Sequence, residues 1–327
     1  MKSKIFIFLI FFIVFVSSCA KFKSEEAYLY IPELYHNSAQ TAYDNGNIIS
    51  ALNMAAKNCK NLDYESCQLL GKVYLEGKHV NQSNSAALKY FTKGCVNKYP
   101  ESCLYMGKMY NEGRAVTMND KKRDEYYQMA STMFLQNCND NKSGDCIELG
   151  QMYINGLIYD PYEEGLNYLK KSCDLNNGKG CMMLGDYYFY NEDNKSLAFS
   201  YYKSSCDNHN PEGCLKLIDM YNTYKNTELS DKSEIISKAE KMCQSGASNL
   251  CVYLGNMYKR YTRFSRIDKE KSFENMLVSC DFNNPYGCKL LGDMYSLGYG
   301  VQENDGSALR YYDKACQLGF ISACTLK

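Results

Sequence analysis

The sequence predicts an all-α solenoid of paired helices, and three observations predict it. A pair of cysteines eight residues apart recurs eight times: Cys59/Cys67, Cys95/Cys103, Cys138/Cys146, Cys173/Cys181, Cys206/Cys214, Cys243/Cys251, Cys280/Cys288 and Cys316/Cys324. From first cysteine to first cysteine the intervals are 36, 43, 35, 33, 37, 37 and 36 residues. A period near 36 suits stacked αα units, none of which can bury its own apolar face alone. After the second cysteine of each of the first seven pairs, Leu (Met106 once), Gly (Ile218 once) and Tyr follow at offsets three, four and seven. Those offsets lie on one face of a helix.

The chain opens with a secretion signal over residues 1–18. Lys2 and Lys4 precede an unbroken apolar run from Ile5 to Val16, then Ser17 and Ser18. Twelve apolar residues are too few to span a bilayer, which takes about 20, and suit a signal core. The junction Val16-Ser17-Ser18-Cys19 is similar to a bacterial lipobox. That similarity implies cleavage before Cys19 and a lipid on its sulfur; the alternative is an ordinary signal peptide with a chance cysteine. Removing Cys19 from the 17 cysteines leaves the even number that eight pairs require. Ala20, by analogy with Gram-negative sorting, points to the outer membrane. Residues 19–28 then form the lipidated cysteine and a polar tether, and residues 29–327 the solenoid.

The first helix pair is expected over about 29–59, as Ile31–Tyr43, a break at Asn45-Gly46-Asn47, and Ile48–Asn58. Within each unit that follows, a first helix (A) carries C-x-x-L-G-x-x-Y and a second (B) ends in A-x-x-Y-Y-x-x-x-C. The best copies of B are Ala198, Tyr201, Tyr202, Cys206 and Ala308, Tyr311, Tyr312, Cys316. Leu and Tyr of helix A are expected to be buried. A glycine inside a helix costs about 1 kcal/mol against alanine, so its recurrence predicts backbones too close for a side chain. Ile218 predicts different packing in the sixth pair. The seven extra residues of the 43-residue unit precede Ala130 and lengthen helix B at its start. Asp160-Pro161-Tyr162-Glu163 reads as the cap of the next B helix.

The cysteine spacing also fixes a turn. On one continuous helix, residues eight apart lie about 12 Å apart, whereas a disulfide needs Cα atoms within roughly 7 Å. The cysteines are therefore unpaired, or the chain reverses between them. Asn208-His209-Asn210-Pro211 and Asn283-Asn284-Pro285 favour reversal, with Asn as N-cap and Pro opening the next helix. Each pair then staples the end of helix B to the start of the following helix A. Eight such bridges belong to an oxidising compartment. Zinc is disfavoured, because structural zinc uses shorter cysteine knuckles, and His36, His79 and His209 are dispersed; no metal or cofactor is expected.

This pattern resembles the Sel1-like repeats, and specifically the Helicobacter cysteine-rich protein family, over about 29–327. The resemblance implies antiparallel helix pairs in a right-handed superhelix related to tetratricopeptide arrays, and secretion. It also implies a penicillin-binding protein with slow β-lactamase activity, but supplies no catalytic motif to carry over. The residues themselves offer little chemistry of that kind. Ser200-Tyr201-Tyr202-Lys203 matches S-x-x-K within a packed B helix. Lys142-Ser143-Gly144 matches K-[ST]-G in an inter-helix turn, and S-D-N is absent.

Two stretches are binding candidates. The residue five after the second cysteine is Lys72, Lys108, Gln151, Asp186, Asp219, Asn256 and Asp293 in successive units. It lies opposite the Leu/Tyr stripe and is expected to face solvent, as a ladder basic early and acidic late. The alternative is a merely soluble face. The second stretch is Lys259–Lys271, a basic run able to meet phosphate or carboxylate groups in the cell envelope; the alternative is a solvated connecting loop partly neutralised by Asp268 and Glu270. The expected function is recognition of a peptide, glycan (a peptidoglycan fragment) or protein partner on the concave face. Slow penicillin hydrolysis is the alternative the resemblance implies, and a purely structural envelope role is third. A chain of zero formal net charge gives no reason to expect nucleic acid; membrane contact is expected through the lipid alone.

Overall fold

The computed structural model describes residues 39–40, 43, 48–77, 79–159, 162–223, 232–261 and 266–326. The signal segment, Cys19, the tether, the Asp160-Pro161 cap and most of the helix expected over 31–43 lie outside these residues. The chain divides into two compact units, one ending at Asn119 and one beginning at Asp120. Unit 1 contains α1 (Ile48–Lys60), α2 (Tyr64–Glu76), α3 (Asn84–Val96) and α4 (Pro100–Glu112). Unit 2 contains α5 (Asp120–Asn139), α6 (Ser143–Ile154), α7 (Tyr162–Asp174), α8 (Gly178–Tyr190), α9 (Lys195–Asp207) and α10 (Pro211–Thr223). It continues through α11 (Lys232–Gln244), α12 (Ser248–Tyr261), α13 (Arg266–Asp281), α14 (Pro285–Leu297) and α15 (Asp305–Gln317) to a 3-10 turn, Ile321–Thr325. Even-numbered helices are A helices and odd-numbered ones B helices. Among the described residues there is no strand.

Helix B leaves each repeat through a stapled turn. The cysteines are joined as Cys59–Cys67 and Cys95–Cys103 in unit 1. In unit 2 they are joined as Cys138–Cys146, Cys173–Cys181, Cys206–Cys214, Cys243–Cys251, Cys280–Cys288 and Cys316–Cys324. Their Cα atoms are as close as 4.4 Å at Cys280–Cys288 and no farther apart than 5.0 Å at Cys316–Cys324.

A turn is ordinarily a surface feature, but these bridges are not surface clasps. Cys67, Cys103, Cys146, Cys181, Cys214, Cys251 and Cys288 have no exposed surface at all. The reason is their register. The second cysteine falls in the first turn of helix A, three residues before the buried Leu or Met, and so on the same inward face. These seven sulfurs are therefore core groups, closed to solvent and to any ligand, and their role is structural. Cys173, Cys316 and Cys324 are the half-buried exceptions.

The residue three after the first cysteine adopts positive φ in every turn, whether glycine (Gly246, Gly319) or not (Leu62, Lys98, His209). That left-handed residue ends helix B and lets the next helix start within hydrogen-bonding distance. The amide of Asn210 reaches Ser205 O at 3.0 Å, and that of Asn284 reaches Ser279 O at 3.0 Å. Asn210 and Asn284 then cap α10 and α14 by accepting from Gly213 N (2.9 Å) and Gly287 N (3.0 Å), with proline opening each helix.

Helices A and B of one repeat pack by exchange of size. A β-carbon on Gly185 would lie 2.5 Å from the ring of Tyr202, and one on Gly71 equally near Phe91. Gly150 faces Leu169, Gly255 faces Met276 and Gly292 faces Tyr312 in the same way. The partner is always the residue four before the first cysteine of helix B. In the sixth pair the sizes are exchanged: Ile218 replaces glycine, Ala239 occupies the partner position, and both are fully buried in one cluster. The expected change in packing is thus a swap that conserves volume. A second exchange flanks the staples, where Ser172 faces Gly180, Ser205 faces Gly213 and Ser279 faces Gly287. These hydroxyls donate to main-chain oxygens of the preceding A helix: Ser143 (2.9 Å), Gly178 (2.6 Å) and Ser248 (3.0 Å). In unit 1 the exchange is reversed as Gly94 facing Ser102, and the buried Ser102 hydroxyl has no partner among the described residues.

The stripe residues differ from expectation in one respect. The Leu/Met position is buried in all seven repeats, but of the tyrosines only Tyr221 and Tyr258 are. Tyr74, Tyr110, Tyr153, Tyr188 and Tyr295 are half-buried. A tyrosine keeps its hydroxyl near water while its ring packs, and here rings of A and B stack: Tyr74 on Tyr90, Tyr153 on Tyr168, Tyr188 on Tyr201, Tyr295 on Tyr311. The fully buried position next to them is Met109, Met152 or Val73. As expected, α5 carries the extra residues at its start and runs for 20 residues.

Candidate functional site

Within each unit the A helices put their fifth residue after the cysteine into a row, but it is not a free solvent face. Only Asp219 is exposed; Lys72, Lys108, Gln151, Asp186, Asn256 and Asp293 are half-buried. Most engage a neighbouring helix. Asp186 accepts from the Tyr202 hydroxyl of α9 (2.7 Å) and pairs with Lys216 Nζ of α10 (2.9 Å). Asp219 accepts a hydrogen bond from the Tyr253 hydroxyl of α12. Asp293 takes the Tyr312 hydroxyl (3.0 Å) and Lys289 Nζ (2.6 Å). Gln151 Nε2 meets Met183 Sδ at 3.8 Å. In unit 1 the ammoniums of Lys72 and Lys108 lie 5.5 and 4.9 Å from the centroid of the Tyr105 ring.

The partner in the next A helix is repeatedly the residue two after its second cysteine: Tyr105, Met183, Lys216 and Tyr253. This second column was not singled out from the sequence. Its residue type varies from repeat to repeat, so no consensus marks it; its constant offset from the cysteine was the available signal.

The row opens into a cleft of about 210 Å³ in unit 2, lined by Phe189, Tyr190, Tyr202, Lys216, Asp219, Met220 and Thr223. Tyr190 is 67% exposed, a large apolar surface for an aromatic ring at the end of a helix. The Lys216 ammonium lies 5.2 Å from its ring centroid and 3.4 Å from its hydroxyl. Burial, the largest single influence, pulls that ammonium down, but the hydrogen bonds to Asp186 and Tyr190 and the negative charge of those groups together outweigh it, so Lys216 stays charged above the ordinary lysine range. Burial and then Asp186 push the Tyr202 phenol up, so it remains a neutral donor. The cleft thus offers an aromatic wall, a fixed cation and the exposed Asp219 carboxylate at its rim.

The hydrolase motifs are not brought together as a site. Ser200 is exposed on α9 rather than packed in the core, because its register points away from the Ala198 and Tyr202 side. Lys203 lies 3.8 Å from Asp207, not on a serine. Ser143 and Gly144 begin α6 instead of lying in a turn, and the Ser143 hydroxyl accepts from Asn177 at 3.1 Å. The basic stretch is also mostly helical, since α12 runs to Tyr261 and α13 starts at Arg266. Lys271 pairs with Glu240 (3.3 Å), while Lys259 and Lys269 both lie 5.4 Å from the Tyr299 ring centroid.

The Sel1 repeat matches residues 65–95, 100–133, 145–177, 178–210 and 285–320, together just over half of the chain. The chain belongs to the Sel1-repeat family. Its repeats are similar in structure to a Sel1 repeat protein from Oxalobacter formigenes, at 17% identity and a TM-score of 0.48, over 90% of this chain and 83% of that one. They are similar also to a protective antigen of uropathogenic Escherichia coli with an SLR fold, at 19% identity and a TM-score of 0.46, over 88% and 69% of the chains. Cysteine rich protein B of Helicobacter pylori is 27% identical with a TM-score of 0.31, over 40% of this chain and 93% of that one. A search of curated proteins finds no match. The Sel1 fold is one suited to binding other proteins, and eight disulfides suit an oxidising extracellular or periplasmic setting. Among the described residues no helix is long and apolar enough to cross a membrane.

Proposed function

We propose that this chain is an exported, lipid-anchored Sel1-repeat protein that binds a peptide or protein partner along its A helices. The observation that carries the reading is the Phe189–Tyr190–Lys216–Asp219 cleft. An exposed aromatic ring beside a half-buried ion pair is the composition of binding surfaces, where tyrosine supplies area at small entropic cost. Export follows from the signal-like segment before Cys19 together with the disulfides, and the anchor from the lipobox similarity. The Ser66 hydroxyl donates to Asp63 (2.5 Å), but this is the half-buried N-cap of α2, and among the described residues neither Ser143 nor Ser200 is joined to a base, so penicillin hydrolysis gains no support from the site.

A photoreactive benzoylphenylalanine in place of Tyr190, or of the exposed Leu309 on helix B, tests the reading in intact cells. A discrete cross-linked partner is expected from position 190 and not from position 309. Equal capture from both would sink the assignment to the A-helix face. The anchor is tested separately: Cys19→Ser should abolish partition into detergent, and unchanged partition would remove the lipid from the proposal.

A further inference from the structure

We propose that Lys72 and Lys108 hold a carboxylate from an acidic segment of the partner, an inference that rests on the protein-binding reading above. Both ammoniums lie over the Tyr105 ring, at 5.5 and 4.9 Å from its centroid. Phe91 stacks on that same ring, with centroids 4.7 Å apart and planes 10° from parallel. One face of Tyr105 is therefore covered, and both cations share the other. Like charges gathered on one face repel, and the ring quadrupole offsets this only in part. Within unit 1 neither lysine forms an ion pair among the described residues, whereas Lys216, Lys271 and Lys289 of unit 2 each do.

Other lysine–tyrosine clusters of the chain supply the missing charge internally. Lys216 on Tyr190 has Asp186 at 2.9 Å. Tyr299, which two lysines also share, has Asp268 near enough to act on its hydroxyl. In unit 1 the position that holds Asp186 in unit 2 is occupied by Lys72 itself. The cluster is thus built like its counterparts, with the anion left out.

The chemistry favours a protein carboxylate as that anion. Two half-buried ammoniums act as point charges and match one small anion. A phosphate-rich surface is better met by Arg forks or by freely exposed polybasic segments, and neither is present at Tyr105. Lys72 and Lys108 stand on successive A helices, so a segment lying across α2 and α4 meets both.

The test is fluorescence anisotropy with the whole oxidised mature chain and a labelled decapeptide of alternating Glu and Ser. Its Gln-Ser counterpart and anionic phosphatidylglycerol vesicles serve as comparison probes. The Glu peptide should bind, the Gln peptide should bind at least tenfold more weakly, and added salt should weaken the former. Lys72→Met/Lys108→Met should weaken Glu-peptide binding about tenfold, equal to about 1.4 kcal/mol. Lys72→Arg/Lys108→Arg should keep it within about threefold, and the charge-matched Lys170→Met/Lys203→Met on B helices should leave it unchanged. Circular dichroism checks that each variant is folded. Equal loss in the Lys170/Lys203 variant would reduce the effect to net charge and overturn the proposal. So would unchanged binding in Lys72→Met/Lys108→Met, or a loss confined to the vesicles. If the Glu peptide fails while position 190 still cross-links a partner, this inference alone falls; if both fail, the protein-binding reading falls too.

Discussion

Five residues after the second cysteine, unit 1 carries Lys72 and unit 2 carries Asp186. Both are half-buried on an A helix, and both meet the next A helix two residues after its own second cysteine. Asp186 finds Lys216 there and closes an ion pair, further tied to the Tyr202 hydroxyl. Lys72 finds Tyr105, whose far face is already taken by Phe91 and whose near face also receives Lys108. One register position therefore serves cohesion between repeats in unit 2, and in unit 1 holds charge in reserve. The difference teaches that a column in a repeat has a geometric meaning fixed by the fold, and a chemical meaning fixed by the pair.

The largest effect expected from this contrast is on stability. Asp186→Ala leaves Lys216 without its carboxylate and the Tyr202 hydroxyl without its acceptor, and should cost about 2 kcal/mol. Lys72→Met removes no polar partner and should stay within about 0.5 kcal/mol. Urea denaturation under oxidising conditions measures both. Similar losses at the two positions would erase the distinction between a closed and an open rung.

A smaller effect sharpens the contrast through pH. Asp293 repeats the closed arrangement in unit 2: burial first, and then its carboxylate, push the Tyr312 phenol up to about 12. An unfolded tyrosine titrates near 10. The folded chain thus keeps a proton that the unfolded chain releases, so this stabilisation is intact below about pH 10 and is lost as pH rises toward about 12. Phenolate absorbance should lose one late-titrating tyrosine in Tyr312→Phe, and a loss from the early-titrating class would contradict the assignment.

The smallest effect concerns the staple turns, where the two units should behave alike. Lys98 in unit 1 and His209 in unit 2 hold φ at 62° and 59°, a region in which a β-carbon is strained. Lys98→Gly and His209→Gly should each raise stability by about 0.5 kcal/mol, the relief being reduced by glycine's greater freedom when unfolded. Gly246→Ala, at φ 115°, should change it in the opposite sense. Thermal melts of the three variants give the signs.

The period, the helix pairs and the buried Leu/Gly stripe are legible in the sequence because each repeat states them again within its own 36 or so residues. The size exchange was legible in principle at Ile218, through the alanine at Ala239 in the column that elsewhere holds Phe91, Leu169, Tyr202 or Tyr312. The depth of the staples was legible in the same way, since Cys67 or Cys214 stands three residues before a stripe leucine and shares its face. The rungs were not. Their partners lie in the next repeat, as with Asp219 and Tyr253, 34 residues apart. A helical wheel drawn for one helix makes the fifth position look solvated, because the wheel omits the neighbour stacked against it. The tyrosines were misplaced for a related reason: a ring that stacks at the edge of a repeat has the same spacing as one in its centre.

The staples also define how the chain is divided as a covalent object. Each closes a ring between cysteines eight apart, joining the end of one repeat to the beginning of the next. The turn from helix A to helix B lies outside every ring. A peptide bond cut inside a ring, near Lys98 or His209, leaves the two pieces tethered by sulfur. A cut between A and B, near Gly113 or Asn191, separates them outright. Under tension the same asymmetry holds: the open spans can extend, while the rings keep neighbouring repeats joined after every hydrogen bond between them has been lost.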